Sequence, residues 1–201
     1  SEEGINKMNT YKTINILDMI EAIGEESVNL ILSDFSCPKN VEIEAFIRKS
    51  AVDFAKRKIS VTHLVMDEQG RLAAIFSLTH KAVKIQEAVL SSTLKKKIKR
   101  YAQLDEEAGS YMVSAFLIAQ FGKNYEEDTE NLLSGNSLMD NVMDILTAVQ
   151  RDIGGGVVYL ECEDKPQLLS FYQNENNCFR VFGERYSEVD QVKYIQLLRF
   201  F

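Results

Sequence analysis

The chain is poor in the residues that build metal centres, covalent staples and linkers. Its 201 residues include three cysteines and two histidines. Cys37, Cys162 and Cys178 stand far apart, and no pair has ligand-like spacing. That set argues against a zinc site. An odd number of scattered cysteines reads instead as reduced thiols in a reducing compartment. Two prolines and ten glycines form no linker, and no internal repeat is visible, so the expectation is one domain over residues 1–201. No apolar window approaches the ~20 residues that cross a bilayer. The opening SEEGINKMNT is polar and acidic, without the apolar segment of a secretory signal. These absences predict a cytoplasmic protein with no membrane contact. Positive charge is also short, with 23 basic against 30 acidic residues and a net charge of -7. An extended nucleic-acid face needs a local excess of Lys and Arg, which this total opposes while leaving a local patch open.

What is present is an ordinary globular composition, 45% hydrophobic and 26% charged. A chain of this length buries most of its apolar surface without staples. Tyr11 to Ile16 is a β-type run. Leu17, Ile20, Ile23, Val28 and Ile31 follow at helical spacing, interrupted by Gly24. Ile43, Phe46, Ile47, Ala51, Phe54 and Ala55 mark one face of a second amphipathic helix. Ser60 to Met66 and Leu72 to Thr79 form an antiparallel hairpin around Asp67-Glu68-Gln69-Gly70, with Val83 to Ile85 as an extension.

Leu90 to Leu104 contains Lys95-Lys96-Lys97-Ile98-Lys99-Arg100. This reads either as a solvated helix face or as a patch for an acidic partner, partly cancelled by Asp105-Glu106-Glu107. Ser110 to Phe121 is the most continuously apolar strand candidate, a pattern suited to a central strand covered on both faces. Gly122 to Leu133 is an acidic loop. Leu138, Val142, Ile145, Leu146, Val149 and Ile153 share a helical stripe that Gly154-Gly155-Gly156 stops. Val157 to Glu163 is a strand. Asp164, Pro166 and Gln167 predict the start of a helix, with Asp164 as the capping carboxylate. Phe179 to Tyr186 and Val192 to Phe200 are the last two strands. The unit from Ser110 to Glu163 predicts a right-handed parallel crossover.

That order resembles the layout of the GNAT N-acetyltransferases from about Tyr11 onward. Val157-Val158-Tyr159-Leu160-Glu161, then Phe171-Tyr172-Gln173-Asn174-Glu175, then Phe179-Arg180-Val181-Phe182-Gly183 carry the resemblance. The family's glycine before the closing phenylalanine is absent, and Asn177-Cys178 stands near its place. Phe35-Ser36-Cys37, Ile43-Glu44-Ala45-Phe46-Ile47, Ala51 and Phe76-Ser77-Leu78-Thr79 resemble the toxin-type branch. The resemblance implies an α/β fold with a mixed central sheet, antiparallel N-terminal strands, a splayed central parallel pair and helices on both faces.

It also implies acetyl-CoA as co-substrate and an unidentified amine as acceptor. Ile118, Ala119 and Gln120 fall where the family holds the pantetheine arm. Ser134, Gly135, Asn136 and Ser137 fall at the phosphate loop, directly before a helix. Glu130, Asn131, Leu132 and Leu133 lack the loop's usual Gln or Arg and earlier glycines, and Glu126 to Glu130 forms an acidic insertion. A helix start offers unpaired amides and a favourable dipole to an anion. Equally, Ser and Asn simply cap helices there.

Tyr172 resembles the family's general acid. A phenol with a pKa near 10 stays protonated at neutral pH and can donate to a departing thiolate. Phe171 is core or a wall against the cofactor. Glu161, Glu163 and His80 are the base candidates that lie on or near strands. Three alternatives stand beside acetyl transfer to an amine. They are a GNAT-fold binding module without catalysis, toxin-like acetylation of aminoacyl-tRNA, and an α/β interaction protein of another fold.

Overall fold

The computed structural model describes residues 10–126 and 133–201. They hold eight strands and seven α-helices: β1 (Tyr11–Asn15), α1 (Ile16–Ile23), α2 (Glu25–Ser33), α3 (Val41–Lys49), α4 (Ala51–Lys56), β2 (Val61–Asp67), β3 (Leu72–Gln86), α5 (Ser92–Ile98), β4 (Leu104–Asp105), β5 (Ser110–Lys123), α6 (Gly135–Ile153), β6 (Val157–Glu163), α7 (Pro166–Tyr172), β7 (Arg180–Ser187) and β8 (Val192–Phe200). The contacts divide into two compact units. One comprises residues up to Leu78 and Gln120–Leu138; the other comprises Thr79–Ala119 and Met139–Phe201. No described helix is long and apolar enough to cross a membrane.

In the first unit β1 pairs antiparallel with β2, and β2 with β3. Asn15 ends β1 and caps α1 by accepting the Leu17 amide at 2.9 Å. Gly24 then takes φ +84° and separates α1 from α2. A side chain is strained in that backbone conformation, which is why the helical pattern breaks there. The second amphipathic stretch is likewise two helices, parted at Ser50. Their apolar faces meet in one core of Ile16, Val28, Leu32, Phe35, Ile47, Ala51, Ala55, Leu64 and Ile75.

Asn124 fastens this unit. It is 2% exposed. Its Oδ1 accepts the Ser36 amide at 2.8 Å and the Glu126 amide at 3.2 Å, and its Nδ2 donates to the Leu72 carbonyl at 2.8 Å.

His63 on β2 is buried and stacked on Phe76 at 5.1 Å. Its Nδ1 has no hydrogen-bond partner among the described residues. Burial holds its pKa below the ordinary 6.5, against a hydrogen bond with the Val61 backbone and the charge of Asp18. Well above pH 6.5 the ring is neutral whether folded or unfolded, and it contributes no pH dependence. As pH falls below 6.5, the unfolded chain takes up the proton first, and stability drops. Unfolding by denaturant between pH 7 and 5 should show this loss. The slope is at most about 1.4 kcal/mol per pH unit for one proton, and His63→Gln should remove that component.

In the second unit the strand order is β3-β5-β6-β8-β7, with β4 beside β5. β5 and β6 are parallel, β6 and β8 antiparallel, and β7 and β8 antiparallel. The core on one face joins Val83 and Ile85 of β3, Leu94 and Ile98 of α5, Tyr111, Val113 and Ala115 of β5, Tyr159 of β6 and Leu198 of β8. β5 is not buried on both faces along its length, because Met112 is 59% exposed and Ser114 is exposed as well. Its apolar run overstated its burial.

The predicted helix start at Asp164 is corrected in one detail. Pro166 is the first helical residue and Lys165 the N-cap, with no side-chain cap. Asp164 instead pairs with Lys193 of β8 at 3.1 Å. The glycines after α6 serve a second purpose besides stopping the helix. A Cβ on Gly155 would come within 2.9 Å of the Phe116 ring, and one on Gly156 within 2.3 Å of the Tyr101 hydroxyl.

Candidate functional site

The second unit supplies a parted strand pair. β5 and β6 are in parallel register at Phe116↔Val158 and Leu117↔Tyr159. Beyond that pair β5 continues through Ile118 and Ala119, while β6 stays registered with β8 as far as Glu163↔Tyr194. Ile118 is buried and Ala119 exposed. Parallel strands that part in this way leave backbone amides and carbonyls unpaired on their facing edges, and such groups seek a partner.

α7 follows β6 and carries Phe171 and Tyr172 at its end. Tyr172 is buried, with Phe171 edge-on at 5.0 Å and Phe179 edge-on at 5.9 Å. Burial raises the pKa of its phenol, and neighbouring Cys162 raises it further. The hydroxyl therefore holds its proton through the neutral range. Cys162 is also buried, and burial, Asp164 and Glu163 push its thiol up to about 11, so it is no thiolate at neutral pH.

The segment after α7 is tightly laced. Asn177 is fully buried. It donates through Nδ2 to the Phe171 carbonyl at 2.8 Å, its amide donates to Asn174 Oδ1 at 2.8 Å, and its carbonyl accepts from Arg199 at 2.9 Å. Cys178 takes φ +58°. It therefore adopts, directly before Phe179, the left-handed backbone that a glycine would adopt freely. A non-glycine residue there costs about 1 kcal/mol. Cys178→Gly should raise Tm by about 2–4 °C in a calorimetric scan, with the Sγ contact to the Glu175 carbonyl at 2.8 Å as the part lost.

Of the base candidates, Glu161 is engaged on both oxygens. The Tyr159 hydroxyl and Gln196 Nε2 donate to Oε1, the latter at 3.2 Å, and Arg185 donates to Oε2 at 2.6 Å. Burial alone would raise its pKa. The donated bonds and the Arg185 charge outweigh that and hold the carboxylate below its usual range. A carboxylate so satisfied is a poor proton acceptor. Glu163 pairs with Lys165 at 2.5 Å, and His80 is exposed on β3. Glu161 stands out in the sequence as a base candidate, whereas its partners Tyr159, Gln196 and Arg185 do not. The available signal was a polar residue at alternate positions of otherwise apolar strands.

The first unit holds the other predicted residues. Gln120 lies on β5 and is half-buried. Ser134 caps α6, for its hydroxyl accepts the Ser137 amide at 3.1 Å and meets the Ser137 hydroxyl at 2.9 Å. Both serines are exposed, and Gly135 and Asn136 between them are half-buried. Residues 127–132, which include most of the acidic insertion and the expected earlier loop positions, lie outside the described residues.

No known protein-family profile matches the chain. No curated protein matches it in sequence either. Solved structures do match in fold. A bacterial toxin superposes with a TM-score of 0.62 at 15% identity, over 93% of this chain and 90% of the other. AtaT complexed with acetyl-methionyl-tRNAfMet gives 0.58 at 13% identity, over 81% and 85%. AtaTR bound with acetyl-CoA gives 0.55 at 10% identity, over 92% of each. These likenesses show that the chain shares the fold of these toxin structures.

Proposed function

We propose that this chain transfers the acetyl group of acetyl-CoA to an amine by direct attack, with Tyr172 giving a proton to the departing thiolate. The observation that carries this reading is the parallel pair β5–β6 parting after Leu117↔Tyr159, followed at once by the helix that ends on a buried, protonated tyrosine. AtaTR bound with acetyl-CoA has the same fold, which supports the choice of co-substrate. The chain is read as one acyltransferase domain over residues 1–201.

Each unit, taken by itself, offers groups that suit a part of that co-substrate. The edge of β5 at Ile118, Ala119 and Gln120 offers backbone partners to the amides of a pantetheine arm. The start of α6 offers a helix terminus of a 19-residue helix with two exposed hydroxyls, Ser134 and Ser137, which suits a pyrophosphate. Phe171 forms an apolar wall beside Tyr172. Acetyl-CoA supplies an activated acyl thioester. Tyr172 holds a proton at its hydroxyl ready for the sulfur that leaves. Glu161 does not act as the base; the amine gives its proton to water, and water returns one to the Tyr172 phenolate.

Calorimetric titration with acetyl-CoA and with CoA tests the reading. Micromolar binding that tolerates Tyr172→Phe and disappears when Ser134–Ser137 is rebuilt is the expected result. Absence of binding in the wild type would overturn it.

A second reading concerns the acceptor. Lys96, Lys97, Lys99 and Arg100 are exposed around the end of α5, and one structure of the same fold is AtaT complexed with acetyl-methionyl-tRNAfMet. Acetylation of an aminoacyl-tRNA would make RNA binding weaken steeply with salt. Binding indifferent to salt would remove it.

A further inference from the structure

Four side chains stitch three strands of the second unit together on one face. Tyr159 and Glu161 come from β6, Gln196 from β8 and Arg185 from β7. Residues two apart on a strand share a face, and registered partners share it too. Glu161 is registered with Gln196, and Arg185 with Tyr194. Glu161 receives Arg185 through both Nε and Nη2 at 2.6 Å. The guanidinium also lies over the Tyr194 ring at 4.7 Å. Gln196 Nε2 donates to the Tyr159 hydroxyl and to Glu161 Oε1, each at 3.2 Å.

The backbone is shaped around this cluster. The β7–β8 register shifts between Val181 and Gly183. A Cβ on Gly183 would come within 2.7 Å of Gln196 Oε1. The bulge and the glycine together make room for the Gln196 amide to reach Glu161.

The cluster begins at the residue where β5 and β6 part. Tyr159 is in the last parallel pair, with Leu117. From there β6 has two possible allegiances. It pairs with β8 for four more residues, Leu160 to Glu163, and Glu161 is bound sideways to β8 and β7. Following β5 instead would drag a charged, fully hydrogen-bonded and half-buried carboxylate away from its donors, and breaking such a network is costly.

We infer that Glu161 and Arg185 are positioning residues that hold β6 against β8 and β7 and so keep its edge apart from β5 at Ile118 and Ala119. The inference rests on the proposed acetyl-CoA reading for its purpose, because that gap is where the pantetheine arm would lie. It does not rest on that reading for its first test.

Hydrogen exchange on the ligand-free protein reads the gap directly. Successive amides on a strand point to opposite edges, so one of Ile118 and Ala119 faces β6 and the other faces β3. In the wild type the amide that faces β6 should exchange quickly, and in Glu161→Leu and Arg185→Leu it should slow by about tenfold or more as β6 relaxes toward β5. Arg185→Lys, which keeps one charged donor, should fall between. Val28→Ala, a core change in the first unit, serves as the control for lost stability and should leave both amides as in the wild type. Unchanged exchange in both leucine variants overturns the inference.

The second test uses CoA and adenosine 3′,5′-bisphosphate, which lacks the arm. Glu161→Leu should bind CoA about tenfold more weakly and the bisphosphate equally well. Equal loss for both ligands, or loss for neither, also overturns it. Failure of the wild type to bind CoA would instead defeat the proposed function, and the exchange result would still judge the positioning role.

Discussion

Tyr172→Phe is expected to lower turnover about 100-fold, the lower end of what a positioned acid contributes, with affinity for acetyl-CoA within about twofold of the wild type. The change removes one oxygen and keeps the ring. Its contacts with Phe171 at 5.0 Å and Phe179 at 5.9 Å are edge-to-face contacts of the ring alone. The local fold should therefore survive. What disappears is a proton held on oxygen by burial. Without it the thiolate must leave unprotonated or wait for water, and the barrier rises by about 2.7 kcal/mol for a hundredfold loss. The measurement is release of free thiol from acetyl-CoA in the presence of an amine the wild type accepts, found by screening. A variant as active as the wild type would remove Tyr172 from the chemistry. A variant that loses binding as strongly as turnover would make it a wall of the site instead. Cys162 does not substitute for it at neutral pH. Its buried thiol, with a pKa of about 11, stays protonated and is a weak nucleophile.

The element order was readable because periodicity and glycine placement are local. The α1–α2 break at Gly24, the hairpin around Asp67–Gly70, the stripe of α6 and the final strand pair all follow from spacing. Where two neighbours compete for one residue, spacing is silent. Asp164 had the position of a cap, yet Lys193 lies across the sheet from it at 3.1 Å and takes the carboxylate. Cys178 gave no sign of a left-handed backbone, because that conformation is imposed by the lacing of Asn177 and not preferred by cysteine. Glu161 looked like a free base on a strand. Only the folded register, which brings Gln196 and Arg185 to it from residues 35 and 24 positions away, shows it to be fully occupied. Tyr172 stood out as a candidate by its motif, but its burial is a tertiary fact.

Asn124→Ala is expected to destabilise the first unit by about 3 kcal/mol. Three bonds go at once: the Ser36 amide at 2.8 Å, the Glu126 amide at 3.2 Å and the Leu72 carbonyl at 2.8 Å. A net hydrogen bond is worth about 1 kcal/mol, and a buried partner left alone costs about 1–3 kcal/mol. The Leu72 carbonyl and the Ser36 amide are the two that stand to be stranded, so together they cost about 2–6 kcal/mol, and about 3 lies in the lower half of that range. The backbone of this segment is held independently, by Asn124 to the Ala73 carbonyl at 2.9 Å and by Tyr125 to the Ser36 carbonyl at 2.8 Å. The loss should therefore register as lowered stability and not as a rearranged chain. A fall in Tm of about 6–12 °C is the expected reading for a protein of this size. Asn124→Asp separates the two halves of the argument. It keeps the acceptor for Ser36 and Glu126 but points an oxygen at the Leu72 carbonyl. Above pH 5 it should be at least as damaging as alanine, because an ionised carboxylate beside a buried carbonyl is repelled as well as unpaired. Below pH 4 the protonated acid can donate to Leu72 again, and the deficit relative to the wild type should shrink. A deficit that is the same at both pH values would show that the Leu72 bond contributes little and that the Ser36 anchor carries the effect.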